Sequence, residues 1–126
     1  MPFVNIEVKK GKSGEYKRAI LDGVRNALIE TIKVSEDNTF LRIYELDESN
    51  FMYPGTKTEN VTLIGITMYN GRTVEAKNAL YTAINRNLAQ TPKIAGNDIS
   101  IVIYDVAPED IVLEDGKPIQ WMLIFL

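Results

Sequence analysis

Apolar and polar positions alternate over residues 2–9, where Val4, Ile6 and Val8 fall on one side of an extended chain. Gly11 and Lys12 break this period. Beyond them Ala19-Ile20, Val24, Ala27-Leu28 and Ile32 recur at helical spacing, which predicts an amphipathic helix over residues 14–33. Ser13 precedes it as an N-cap, and Glu15 stands in the first turn, where the helix dipole favours an acid. Val34 to Thr39 reads as a loop, and the β-rich run Phe40 to Leu46 as a second strand.

The same order returns further along. A strand is predicted over residues 61–69, a turn at Asn70-Gly71 and a cap at Thr73 with Glu75 behind it. Ala76, Ala79-Leu80, Ala83-Ile84 and Leu88 form the apolar stripe of a second helix, and Pro92 marks its exit. Ile99 to Val106 is the last strand of this copy. At an offset of 60 residues, residues 2–46 lie over residues 62–106 without a gap. Gly11 falls on Gly71, Ser13 on Thr73, Glu15 on Glu75, Lys17 on Lys77, and Ile43-Tyr44 on Ile103-Tyr104. Two copies are too few for a solenoid and suggest a pseudo-symmetric pair.

A strand–helix–strand unit of this length implies two parallel strands joined by a right-handed crossover. The expected fold is therefore α+β: two pseudo-symmetric βαβ units forming a four-stranded sheet, with two helices on one face and a C-terminal hairpin or strand. The chain, residues 1–126, reads as a single domain. It comprises units 2–46 and 62–106, a polar linker 47–60 that turns at Pro54-Gly55, and a hairpin and tail over 107–126. Asp115-Gly116, between Ile111-Val112-Leu113 and Pro118-Ile119, is the hairpin signal. The tail Trp121-Met122-Leu123-Ile124-Phe125-Leu126 is expected to complete this sheet or to join that of a neighbouring subunit; the other reading is an apolar wall for an aromatic substrate. An apolar sheet face without helices would need cover, which predicts a homo-oligomer.

Composition narrows the chemistry. With 45% hydrophobic and 25% charged residues the chain is ordinary for a globular protein. A net charge of −3 gives no basic footprint for nucleic acid. No apolar run approaches the ~20 residues needed to span a bilayer, and no signal peptide is visible, so the expected location is the cytoplasm. There is no Cys and no His. Disulfides, thiolate zinc sites and thiol nucleophiles are thereby excluded, along with the commonest neutral-pH base and metal ligand. No metal or cofactor is expected, and an enzyme built from this chain needs another base.

Pro2 can supply one. If Met1 is removed, Pro2 carries a secondary amine, and an α-amino group titrates near 7.7–8.0 before any perturbation. A nearby cation or burial lowers that value, and the neutral amine becomes a general base. The alternative is that Pro2 merely begins an edge strand. Arg72, at the start of the second helix, can hold a carboxylate through its guanidinium fork and the helix N-terminus; the alternative is a solvated helix-start charge. Lys12, its repeat mate, reads as a surface charge.

The segment Met1-Pro2-Phe3-Val4-Asn5-Ile6-Glu7-Val8 with Gly11-Lys12-Ser13 resembles the opening of the 4-oxalocrotonate tautomerase superfamily. Ile20-Leu21-Asp22-Gly23-Val24, Ser35-Glu36-Asp37-Asn38-Thr39-Phe40, Gly71-Arg72-Thr73-Val74-Glu75-Ala76-Lys77, and Pro108-Glu109-Asp110 followed by Asp115-Gly116-Lys117-Pro118 are similar to its fused-repeat branch around malonate semialdehyde decarboxylase. The resemblance implies an amino-terminal proline as catalytic base, Arg72 on the substrate carboxylate, and a homotrimer acting on a small 2-keto or enol acid. The chain also departs from that branch. Asn70 stands where the decarboxylases have a second Arg, Asn38 where they have a water-activating Asp, and Ile111-Val112 where they have Trp-Gly. A keto–enol tautomerase needs none of these, whereas a decarboxylase or dehalogenase does. A non-catalytic oligomeric binding protein of the same fold is the remaining alternative. Tyr104 could donate a proton to an enolate; its repeat mate Tyr44 favours symmetric packing instead.

Overall fold

A computed structural model describes residues 2–119. Strand β1 (Phe3–Lys9), helix α1 (Gly14–Ile32) and strand β2 (Phe40–Leu46) form the first unit. Strand β3 (Thr62–Tyr69), helix α2 (Val74–Gln90) and strand β4 (Ile99–Val106) form the second. Short strands β5 (Val112–Glu114) and β6 (Lys117–Pro118) make the hairpin. Its turn residues Asp115 and Gly116 have φ of 57° and 66°, the paired positive values of a tight hairpin turn. The apolar tail after residue 119 lies outside the described residues, as does Met1.

Local chemistry sets the helix starts. Ser13 Oγ accepts from the Tyr16 N–H at 3.1 Å, and Thr73 Oγ1 accepts from the Ala76 N–H at 3.1 Å. Each cap satisfies one orphan donor of the first turn, worth about 1 kcal/mol. Just before each cap, Gly11 and Gly71 adopt φ of 115° and 110°, a region that side chains with a Cβ avoid. The turn from strand to helix is thus built the same way twice.

The sheet order is β2-β1-β3-β4. β1 pairs parallel with β2 and β3 parallel with β4, while β1 and β3 meet antiparallel at the centre. The alternation of buried residues follows the period of two. Val4, Ile6, Val8, Ile64, Ile66 and Met68 face the helices and are at most 2% exposed. Ile20, Val24, Ala27 and Leu28 from α1, and Leu80, Ala83, Ile84 and Leu88 from α2, close the core over them. Repeat-related ion pairs brace each helix to its outer strand: Lys17–Glu45 at 2.8 Å and Lys77–Asp105 at 2.6 Å.

The opposite sheet face is less apolar than the strand pattern suggests. Phe40, Tyr44, Val102 and Tyr104 are exposed on it. Asn5, Glu7 and Arg42 run between them, with Arg42 Nη2 donating to Asn5 Oδ1 at 2.6 Å. The reason is that β1 alternates two kinds of residue, and the polar set falls on this side. No helix among the described residues is long and apolar enough to cross a membrane.

Candidate active site

Pro2 does not begin an edge strand. It precedes β1, which lies between β2 and β3, and it is buried. Its carbonyl accepts from the Phe40 N–H at 3.0 Å, so the first residue of β2 is tied beside it. Phe3 and Phe40 pair across the two strands and stack with ring centroids 5.1 Å apart, on the sheet face away from the helices.

The antiparallel register carries the second candidate to the same end. Phe3 pairs with Thr67, so β3 runs out to Tyr69 at the end of the sheet where β1 begins. Gly71 then reverses the chain, and Arg72 folds back. Its Nη1 donates to the Tyr69 carbonyl at 3.1 Å, and its guanidinium carbon lies 4.0 Å from the centroid of the Tyr69 ring. β4 ends beside Tyr69 at Val106, whose carbonyl accepts from the Asn70 N–H at 2.9 Å. Pro2, Phe3, Phe40, Tyr69 and Arg72 therefore share one end of the sheet. Asn38, in the short 3₁₀ turn Glu36–Asn38 before β2, stands at this end too and is exposed.

The opposite end is built from the repeat mates and differs. Thr62 stands where Pro2 does in the first copy and is fully buried, its hydroxyl donating to the Asn60 carbonyl at 2.8 Å. Asp98, the mate of Asn38, is 2% exposed. Its two carboxylate oxygens accept from the Thr58 N–H and Thr58 Oγ1 at 2.7 and 2.6 Å. The chain thus does hold a buried carboxylate at this repeat position, but at the end of the sheet away from Pro2. Lys12 is no plain surface charge: its ammonium donates to the Asn60 side chain and sits 5.0 Å from the Tyr16 ring centroid. Tyr16 has its hydroxyl pushed above the usual phenol range, by burial first and by the Asp98 carboxylate second.

Tyr104 lies on the outer face, half exposed like its mate Tyr44. Its ring leans on Gly65, with Cε2 3.4 Å from where a β-carbon on that glycine would stand. Tyr104 pairs with Thr67, which pairs with Phe3, so its backbone stands at the Pro2 end of the sheet while its ring leans inward over Gly65. A groove of about 530 Å³ lies between the helices along Glu15, Asp22, Asn26 and Asn87, and is lined by neither Pro2 nor Arg72. Among the described residues no cluster of carboxylates could hold a metal ion.

Sequence patterns did not single out Tyr69, Phe3 or Phe40. The signal for Tyr69 was an aromatic residue closing a strand three positions before an arginine across a glycine turn. Phe3 and Phe40 become partners only through the strand register.

Two parallel-paired βαβ units joined antiparallel, with a proline opening the central strand, define a tautomerase-type fold. Family models described as "Tautomerase enzyme" match residues 38–111 and residues 2–59, and the chain belongs to this tautomerase family. It is 28% identical over 122 residues to a probable tautomerase, YusQ, of Bacillus subtilis (strain 168), a match covering 93% of this chain and 96% of that protein. Among solved structures it is similar to the FG41 malonate semialdehyde decarboxylase inhibited by 3-bromopropiolate. The TM-score is 0.87 at 28% identity, with 98% of this chain and 97% of that one covered. It shares the fold of a fused 4-OT symmetric trimer, with a TM-score of 0.83 at 22% identity over 94% of this chain and 96% of that one. The chain is a tautomerase-like enzyme of the fused-repeat branch.

Proposed function

We propose that this enzyme interconverts the keto and enol forms of a small 2-keto carboxylic acid, with the Pro2 nitrogen as base and Arg72 as the anchor for the substrate carboxylate. The reading requires that Met1 be removed, because an acylated proline nitrogen has no basicity. The guanidinium of Arg72 and the buried setting of Pro2 then favour a neutral amine. The amine takes the enol hydroxyl proton as the C=O bond forms. The electrons of the C=C bond take a proton from the prolinium at the adjacent carbon. Atoms and charge balance, and nothing is oxidised or reduced.

The observation that supports this reading is the antiparallel β1–β3 register, which brings the start of β1 and the turn after β3 to one end of the sheet. Stacked Phe3 and Phe40 offer an apolar surface there. The decarboxylase reading draws on the likeness to the FG41 enzyme. It is disfavoured because Asn38 cannot activate water and the carboxylate of its mate Asp98 is held by Thr58. We also propose that copies of this chain assemble as a homotrimer through the sheet face bearing Phe40, Tyr44, Val102 and Tyr104.

The test is the ketonisation of phenylpyruvate enol. Pro2→Ala is expected to lower kcat by about 10²–10⁴, the range for loss of a general base. Arg72→Ala is expected to raise KM by about tenfold or more, since a charge-assisted bond to a carboxylate is worth roughly 1.5–3 kcal/mol. Equal rates in all three proteins, or full activity in a protein whose intact mass retains Met1, would overturn the reading. Release of carbon dioxide from malonate semialdehyde would favour the decarboxylase instead.

A further inference from the structure

We propose that Tyr69 is a positioning residue that presets the Arg72 guanidinium for a carboxylate. The inference rests on the anchoring role proposed for Arg72. One tyrosine supplies two restraints of different kinds. Its ring has the guanidinium carbon over it at 4.0 Å, and its backbone carbonyl takes one N–H at 3.1 Å. Rotating the fork out of this pose breaks both. Tyr69 is itself fixed, because it closes β3 in register with Val106 and the next N–H bonds the Val106 carbonyl.

The other arginines show what an arginine does elsewhere in this chain. Arg18 and Arg25 pair with Asp22, and Arg25 also with Glu36; Arg86 pairs with Glu30; Arg42 donates to the Asn5 side chain. Among the described residues Arg72 has no side-chain acceptor, and its single hydrogen bond leaves further N–H donors for a ligand. A planar cation held over a ring and lacking an anionic partner is prepared for bidentate pairing, which depends on orientation more than a point charge does.

The repeat mate supplies an internal control. Lys9 stands where Tyr69 does, so no ring lies three positions before Lys12. Lys12 turns instead to the Tyr16 ring and the Asn60 side chain, and the linker consumes it. The two halves share a turn glycine and a cap, yet only the half with an aromatic residue three positions before the cation leaves that cation without a side-chain hydrogen bond.

The experiment compares wild type, Tyr69→Leu, Tyr69→Met, Tyr69→Phe and Arg72→Ala. Each is assayed with phenylpyruvate enol and with the enol of its methyl ester, which lacks the anion. Phenylacetate, a non-reacting carboxylate, is titrated in parallel so that binding is read without turnover. Loss of the ring is expected to raise KM for the acid and Kd for phenylacetate about tenfold, with kcat changed less than threefold. The ester should move less than twofold, and Tyr69→Phe should restore tight binding because it keeps the ring. An acid KM unchanged in Tyr69→Leu and Tyr69→Met while Arg72→Ala raises it would overturn the inference and leave the role of Arg72 standing. Equal losses with acid and ester would also overturn it, as the mark of a structural role. If Arg72→Ala moves neither KM nor Kd, the anchoring reading fails and this inference fails with it.

Discussion

Glu45 shows how much a single residue contributes at the surface of this fold. The hydrogen bond from Lys17 holds its carboxyl below the ordinary value of 4.5, with smaller help from the Lys17 charge and the Gly11 backbone. A depressed folded value means that the pair stabilises the protein above the ordinary glutamate range. That contribution is lost as pH falls through the depressed value. The pair is exposed, so the effect is small. Glu45→Gln should therefore lower Tm slightly at neutral pH, and the gap from wild type should close in acid. A gap that widens in acid would contradict the assignment. The other single-residue signals in the sequence were the caps: Ser13 and Thr73 were legible because a cap acts within three residues of itself. Tyr69 was not, because a ring three positions before an arginine means nothing until the turn at Gly71 folds the two together.

The two helices are in close contact at Gly23. A β-carbon there would lie 2.9 Å from Leu88 Cδ2 and 3.5 Å from Asn87 Cβ, and Asn87 Nδ2 donates to the Gly23 carbonyl at 2.9 Å. Alanine at an open helix position gains up to ~1 kcal/mol over glycine. Here Leu88 is fully buried and would have to move. Overpacking of a well-filled core costs about 1–3 kcal/mol. We expect Gly23→Ala to destabilise the protein by about 1 kcal/mol net in urea unfolding; a more stable variant would show that the α1–α2 contact has slack. The apolar stripes of both helices were readable from spacing alone. That α1 required a glycine for close approach was not, since the partner side chain comes from the other repeat.

On the scale of the whole molecule the open sheet face is the surface on which the proposed trimer would form. Val102 and Tyr104 on β4 are 51% and 56% exposed and lie on the same face as Phe40 and Tyr44. Val102→Lys puts a charge into that patch without touching the core. It should shift the protein from trimer to smaller species in sedimentation equilibrium; a wild type that sediments as a monomer would refute the assembly. The sequence anticipated a face in need of cover. It overstated how apolar that face is, because period two marks the core side of β1 clearly and says less about the polar run Asn5, Glu7 and Arg42 on the other side.

What the chain determined by itself is local or repeated: four strands, two capped helices, the hairpin turn and the 60-residue duplication. These depend on side-chain period, on capping oxygens and on glycines at positive φ, all of which act between near neighbours. What only tertiary structure decided is which distant residues meet. The antiparallel β1–β3 pairing is set by long-range hydrogen bonds between the two repeats, and it puts Pro2 beside the end of β3 rather than its start. Through it Arg72 reaches the proline's end of the sheet, where the parallel β1–β2 pairing has already set the Phe3–Phe40 stack. Asp98, a carboxylate of equal standing in the sequence, is carried to the other end and bonded to the linker.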